Sequence, residues 1–140
     1  MLKQVVFMSQ AAAESAPAAP GWAVISITQP SDPPAALREG WAAVLRMRFH
    51  DTDEADSILT VFSREDAETV VQFVREHAER VEGILVHCSA GISRSAAVAK
   101  FIADTYRLHF PDKYSAYNKL IYRRLNQVLW REAYGQDVDY

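Results

Sequence analysis

The chain has 140 residues, of which 49% are hydrophobic and 24% are charged, and its formal charge is -3. This length suits one domain over residues 1–140, and the composition is typical of a globular rather than an intrinsically disordered protein. A single cysteine excludes a disulfide scaffold. The mild acidity excludes a general electrostatic attraction to nucleic acid or to an anionic membrane, so any ligand must bind at a local site.

The apolar runs of the sequence are too short for membrane insertion or secretion. A spanning helix needs roughly twenty apolar residues, and a signal peptide needs a core of about 7–15. The N-terminal run Val5–Met8 falls short of both lengths. We therefore expect a cytoplasmic protein, and a free thiol suits that reducing compartment.

The first half of the chain alternates strand-like and loop-like segments. Three segments rich in β-branched and aromatic residues predict strands: Val5–Met8, Trp22–Thr28 and Val44–Phe49. Between the first two, the alanine- and proline-rich segment Ala11–Pro20 predicts a short helix and a turn. After the third strand comes the polar loop His50–Ser57, which carries four acids: Asp51, Asp53, Glu54 and Asp56.

The second half of the chain is mainly helical. Ser63, followed by acids in the first turn, predicts the start of an amphipathic helix. The short apolar run Ile84–Val86 is typical of a strand covered on both faces. A helix is predicted from Ser93 to about Tyr106, and an amphipathic helix ends the chain. This order indicates a single α/β domain with a central, mainly parallel sheet flanked by helices, and the tryptophans at 22, 41 and 130 are expected in its core.

The cysteine lies between the last predicted strand and a helix, where the connection can bind an anion. Cys88 begins this connection and Arg94 ends it, and the loop between them has five residues: Ser89, Ala90, Gly91, Ile92 and Ser93. In such a turn the backbone N–H groups point inward and, with the helix N-terminus, can surround a phosphate. Gly91 supplies conformational freedom, and Arg94 can contact two phosphate oxygens. The same positive field predicts a pKa for Cys88 below the ~8.5 of a free thiol.

The segment His87–Ser95, HCSAGISRS, resembles the Cys-x5-Arg-Ser/Thr signature of the cysteine-dependent protein tyrosine phosphatases, and especially their small dual-specificity branch. The resemblance is strongest over Ile84–Lys100. It implies a phosphatase-like fold and a phosphomonoesterase that works through a phosphocysteine intermediate, without metal or cofactor. It also implies that the Ser95 hydroxyl helps Cys88 leave as a thiolate in the second step, and that His87 orients the loop behind Cys88.

The resemblance further implies an aspartate on a separate loop that acts as general acid and then as general base. Asp51 fits this position best, because it follows the third predicted strand after one residue. Asp53 is the second choice, and the two alternatives stay open. Glu54 and Asp56 are interpreted as solvated loop charges.

The substrate and the physiological role are less constrained by the sequence. The loop between Cys88 and Arg94 contains no lysine, which favours a phosphorylated protein or peptide over a polyanionic lipid. Three alternatives remain: a phosphoinositide phosphatase, a phosphoresidue-binding module with little catalysis, and a sulfur-transfer or arsenate-reducing thiol enzyme. Five residues could line the cleft, with Asn118 placing a water, although most such helix residues lie in the core or on a solvent-facing surface: Tyr114, Tyr117, Tyr122, Arg123 and Arg124. The sequence leaves the oligomeric state open.

Overall fold

The computed structural model describes residues 1–55 and 58–135, so Asp56 and Ser57 of the polar loop lie outside the described residues. The described elements are, in chain order, β1 (Gln4–Ser9), α1 (Gln10–Ser15), β2 (Trp22–Thr28), β3 (Ala43–Arg48), α2 (Arg64–His77), β4 (Gly83–Cys88), α3 (Arg94–Tyr106) and α4 (Lys119–Tyr134). The strands form one sheet in the order β1-β4-β2-β3, and every described pair is parallel. The predicted α/β fold is therefore confirmed.

Successive residues of a strand point to opposite sides of the sheet, and both faces of this sheet are covered by apolar packing. On one face Ile84 and Val86 of β4 join the main core with apolar residues of α2, α3 and α4. On the other face Leu85 packs in a smaller cluster with Val24 and with Ala13 of α1. All six residues of β4 are buried, as expected of an inner strand with neighbours on both sides.

The helix ends follow the capping signals of the sequence. Ser63 caps α2 in a reciprocal pair with Asp66, in which each side chain accepts a hydrogen bond from the other residue's backbone N–H. Asn118 caps α4 by accepting from the N–H of Ile121. The prediction that Trp130 lies in the core was wrong: it is 41% exposed on α4 and its ring packs beside Tyr134.

The order of the strands determines where a site can form. Strand β4 lies between β1 and β2, and its carboxyl end is Cys88. In parallel sheets the carboxyl ends of all strands meet at one edge, so the loops that follow β3 and β4 lie near each other. Within the described part of the chain, no helix is long and apolar enough to cross a membrane.

Candidate active site

The loop after β4, residues 88–94, which we name the phosphate loop, holds the Cys88 thiol in a set of hydrogen bonds. Cys88 is only 2% exposed. Its Sγ lies 3.1 Å from the Ser95 hydroxyl oxygen and accepts the N–H of Gly91 at 3.3 Å. Burial raises the pKa of Cys88, but hydrogen bonds from Ser95 and Gly91, together with the Arg94 charge, outweigh it and lower the pKa overall. The site therefore favours the thiolate, the nucleophilic form of cysteine.

Arg94 is held in a fixed orientation at the start of α3. Its guanidinium donates through Nη1 to the carbonyl of Phe49 at 2.8 Å and through Nη2 to the hydroxyl of Ser89 at 3.1 Å. The side chain is almost fully buried. Two acceptors on different segments, Phe49 and Ser89, fix the plane of the fork, and this restriction is what recognition of two phosphate oxygens requires.

Gly91 is the point at which the phosphate loop meets the end of β1. Its φ is +74°, and a Cβ there would lie 2.3 Å from the backbone N of Ser9 and 2.4 Å from the carbonyl carbon of Met8. The same turn makes a second contact outside the loop: the Tyr114 hydroxyl donates to the Ile92 carbonyl at 2.5 Å. Tyr114, which the sequence analysis kept as a possible residue of the cleft, therefore holds the phosphate loop in place.

His87 lies beneath the loop and is completely buried. Its Nε2 is 2.6 Å from the hydroxyl oxygen of Ser26 on β2, and its Nδ1 is 3.4 Å from the carbonyl oxygen of Cys88. A carbonyl can only accept, so we assign the ring hydrogen to Nδ1 and the acceptor role to Nε2. Burial lowers the pKa of His87, which suits a neutral ring that links β2 to the nucleophile's backbone.

Residues 50–55 and 58–60, which we name the acid loop, are closed at the base, and Asp51 is directed toward the phosphate loop. At the base, the His50 N–H donates to the Thr60 carbonyl at 2.8 Å, and the Thr60 N–H donates back to His50 Nδ1 at 3.0 Å. Asp51 Oδ1 accepts from the Ser93 hydroxyl at 2.8 Å and from Asn118 Nδ2 at 2.9 Å. Asp51 is thus docked against the phosphate loop.

The structure distinguishes the two candidate acids by their hydrogen bonds. Asp51 and Asp53 are both exposed, and both line an open cleft of about 610 Å³, which Ser93 also lines. Tyr117, Asn118 and Lys119 line the same cleft, although Cys88 does not. The contact with Ser93 therefore favours Asp51 over Asp53 as the carboxyl group nearest the phosphate loop.

Side chains of the phosphate loop do more than the sequence analysis indicated. The hydroxyl of Ser89 accepts from Arg94, and that of Ser93 donates to Asp51. Asn118, for which the sequence left open a role in placing a water or an ordinary core or surface position, connects the acid loop to α4. Its capping position before an amphipathic helix was the one signal in the sequence that could have identified it. Among residues 1–55 and 58–135, no group of three or more His, Cys, Asp or Glu is arranged to hold a metal ion.

Comparison with known proteins gives a fold but no close relative. No protein-family model matches the sequence, and a search of curated proteins finds no match. Among solved structures, human DUSP28 aligns with a TM-score of 0.61 at 16% identity, covering 94% of this chain and 95% of that one. The chain therefore has the fold of a small dual-specificity phosphatase, as the resemblance implied.

Two further structures support this assignment of the fold. Human tyrosine phosphatase-like serine/threonine/tyrosine-interacting protein aligns with a TM-score of 0.54 at 18% identity, over 79% of this chain and 78% of that one. A mouse candidate dual-specificity phosphatase complexed with zinc tungstate aligns with a TM-score of 0.54 at 21% identity, over 81% and 74%. Identities this low establish the architecture and leave the chemistry to the residues of the site.

Proposed function

We propose that this chain is a phosphomonoesterase of the dual-specificity type, with Cys88 as nucleophile, Arg94 as phosphate ligand and Asp51 as general acid and base. One observation carries the proposal. The Cys88 sulfur accepts hydrogen bonds at the centre of a loop whose arginine is fixed and whose outer end contacts a carboxylate. A nucleophile, an oxyanion ligand and a proton donor thus meet on one bound phosphate.

In the first step the Cys88 thiolate attacks phosphorus, forming the S–P bond while the P–O bond to the leaving group breaks. The three remaining phosphate oxygens face the N–H groups of the phosphate loop and the fork of Arg94, which stabilise the charge of the transition state. Protonated Asp51 gives its proton to the departing oxygen. The products are the phosphocysteine and an alcohol or phenol.

In the second step water attacks the phosphocysteine, and the Asp51 carboxylate takes the proton released by that water. The S–P bond breaks and Cys88 leaves as a thiolate, which the Ser95 hydroxyl stabilises at 3.1 Å. Inorganic phosphate is released and Asp51 is again protonated. Each step is balanced by groups of this chain and water alone, so no metal or cofactor enters the scheme.

We further propose a phosphorylated protein or peptide as substrate and a reducing compartment, the cytoplasm, as location. The loop residues between Cys88 and Arg94 carry no positive charge, and Ile92 there is 54% exposed. An apolar rim suits an aromatic or aliphatic ester better than a polyanionic headgroup. One structural neighbour was obtained with tungstate, a tetrahedral oxyanion like phosphate. A reducing location suits a thiolate that oxidants would inactivate.

The test is turnover of p-nitrophenyl phosphate by the full chain. We expect release of nitrophenol that vanadate blocks and EDTA leaves unchanged, and we expect Cys88→Ser to lose turnover. A phosphoresidue-binding module would bind phosphopeptide without turnover in the wild-type protein. Matched panels of phosphopeptides and phosphoinositides would then separate the protein substrate from the lipid alternative. Equal turnover by Cys88→Ser and the wild type would overturn the proposal.

A further inference from the structure

We propose that Asn118 is a positioning residue for Asp51, and that with Ser93 it determines which carboxyl oxygen carries the transferable proton. The inference rests on the proposed function and goes beyond it, because it assigns a role to a residue on α4, far from Cys88 along the chain. It also accounts for the attachment of an exposed acid to the loop that carries the buried thiol of Cys88.

Asn118 is buried at the junction of three segments, with a relative exposure of 5%. Its Nδ2 donates to Asp51 Oδ1 and to the carbonyl of Thr52, each at 2.9 Å. Its Oδ1 accepts the N–H of Ile121 at 2.9 Å, and its own N–H donates to the carbonyl of Ser93 at 3.1 Å. Both amide hydrogens and the amide oxygen are therefore used, which fixes the orientation of the side chain.

Ser93 supports the same arrangement from the phosphate loop. It occupies the N-cap position of α3, where a serine hydroxyl commonly accepts a backbone N–H, yet it makes no such capping bond. Its hydroxyl instead donates to Asp51 Oδ1 at 2.8 Å. Two side chains at helix N-cap positions, those of Ser93 and Asn118, thus direct donors at one carboxyl oxygen.

This convergence has a chemical consequence. An oxygen that already accepts two hydrogen bonds has both lone pairs engaged, so a protonated carboxyl group places its hydrogen on the other oxygen. We therefore assign the proton of Asp51 to Oδ2. A general acid must present its protonated oxygen to the leaving group, and Asn118 with Ser93 fixes the carboxyl rotation that does this.

Asn118→Ser tests the positioning role without removing the helix cap. Serine is as good an N-cap as asparagine, so α4 keeps its acceptor for Ile121 while Asp51 loses its amide donor. Asn126→Ser is the matched control, because Asn126 lies two turns further along α4 and its amide donates to the Tyr122 carbonyl. Ser93→Ala is a second, independent variant that removes the other donor.

The measurement is kcat for a series of aryl phosphates whose phenols differ in acidity, together with each variant's thermal stability. We expect Asn118→Ser and Ser93→Ala to lose about tenfold or more with the least acidic phenols, part of the ~10²–10⁴-fold that a general acid contributes. With the most acidic phenols the loss should be under about threefold, since those leave without a proton. Neither substitution should slow an Asp51→Asn enzyme further.

Two results would overturn the inference, and they differ in whether the proposed function is also overturned. If Asp51→Asn shows a steep leaving-group dependence while Asn118→Ser slows every substrate equally or none, Asn118 does not position the acid and the proposed function stands. If Asp51→Asn shows no such dependence, Asp51 is not the acid, and this inference fails together with that part of the proposed function.

Discussion

The phosphate loop and the acid loop, to which we assign parts of one proposed reaction, are held in different ways. In the phosphate loop and the first turn of α3, Cys88, Arg94 and Ser95 are at most 5% exposed and continue directly from the sheet and helix. In the acid loop, Asp51, Asp53 and Glu54 are exposed. The contact between the two loops is made by side-chain hydrogen bonds to one carboxylate.

The difference indicates that phosphate binding and proton transfer have separate structural bases. The nucleophile is as well fixed as the core, because the folding energy of β4 and α3 also orders the loop between them. The acid depends on a few hydrogen bonds, each with a net contribution of about 0.5–1.5 kcal/mol. Substitutions should therefore damage the two functions to different degrees.

The largest expected effect comes from the phosphate loop. Cys88→Ser should lower kcat by roughly 10⁴-fold or more, as loss of a nucleophile does in other enzymes, while vanadate binding persists because the amides and Arg94 remain. Arg94→Lys should lose both turnover and tight oxyanion binding, since an ammonium cannot make the two-pronged contact. Steady-state kinetics and isothermal calorimetry with vanadate measure the two quantities separately. Substantial turnover by Cys88→Ser would remove it from the mechanism.

The next effect comes from the acid loop. Asp51→Asn should slow esters of weakly acidic alcohols by about 10²–10⁴-fold and esters of acidic phenols much less, and it should abolish the high-pH limb of the rate profile. Asp53→Asn, on the same loop, is the matched control and should change kcat little. If Asp53→Asn lost more kcat than Asp51→Asn, the acid would lie on the predicted loop but would be Asp53.

The rigidity of the phosphate loop can be tested at two glycines with similar backbone angles. Gly91→Ala should destabilise the fold by about 3 kcal/mol, because the left-handed conformation costs ~1–2 kcal/mol and overpacking against β1 adds ~1–3 kcal/mol. At Gly135, φ is +69° and no described atom lies within 4 Å of an added Cβ, so Gly135→Ala should cost only the ~1–2 kcal/mol of the left-handed conformation. Urea unfolding measures both, and equal losses would contradict the proposed packing of Gly91.

Much of the phosphate loop could be predicted from the sequence because its determinants are local. A short apolar strand, a glycine in the middle of the loop and an arginine at a helix start all fall between Ile84 and Ser95. The choice of Asp51 after the third predicted strand came from the resemblance to the phosphatase family. The strand β4 extends beyond the predicted Ile84–Val86 to Gly83–Cys88, because β1 pairs with both His87 and Cys88 and β2 pairs with His87.

The attachment of the acid loop could not be predicted, because it depends on contacts between residues far apart in sequence. Asp51 and Asn118 are 67 positions apart, and Asp51 and Ser93 are 42 apart. Tyr114 contacts the phosphate loop from a segment whose sequence shows no helical or strand periodicity. Such contacts become visible only once the packing of α3 and α4 is known.

A smaller effect should be seen in the reactivity of the thiol. Ser95→Ala removes the largest favourable influence on the thiolate, so the pKa of Cys88 should rise toward its ordinary value. The rate of alkylation by iodoacetamide as a function of pH gives this pKa directly. Ser93→Ala, which removes a neighbouring hydroxyl without a bond to sulfur, serves as the control. An unchanged profile for Ser95→Ala would contradict the assigned hydrogen bond.

The smallest effect concerns the buried histidine. Burial lowers the pKa of His87 in the folded protein, so folding leaves it neutral while the unfolded chain takes up a proton. The resulting stability is present above the ordinary histidine pKa of about 6.5 and is lost as pH falls below it. Urea unfolding at pH 7.5 and 5.5 should show this decrease, and His87→Gln should reduce it, whereas replacing the exposed His109 should not. If His87→Gln leaves the decrease in stability between pH 7.5 and 5.5 unchanged, other groups cause that decrease.

The central claim is that phosphate passes through Cys88, and mass spectrometry of the acid-quenched enzyme tests it most directly. In Asp51→Asn, loss of the general base should slow hydrolysis of the phosphocysteine, so the intermediate accumulates during turnover of an aryl phosphate with an acidic phenol. The account predicts one phosphoryl group on the peptide that contains Cys88. Continued turnover by this variant with no such adduct, or with the phosphoryl group on another residue, would contradict it.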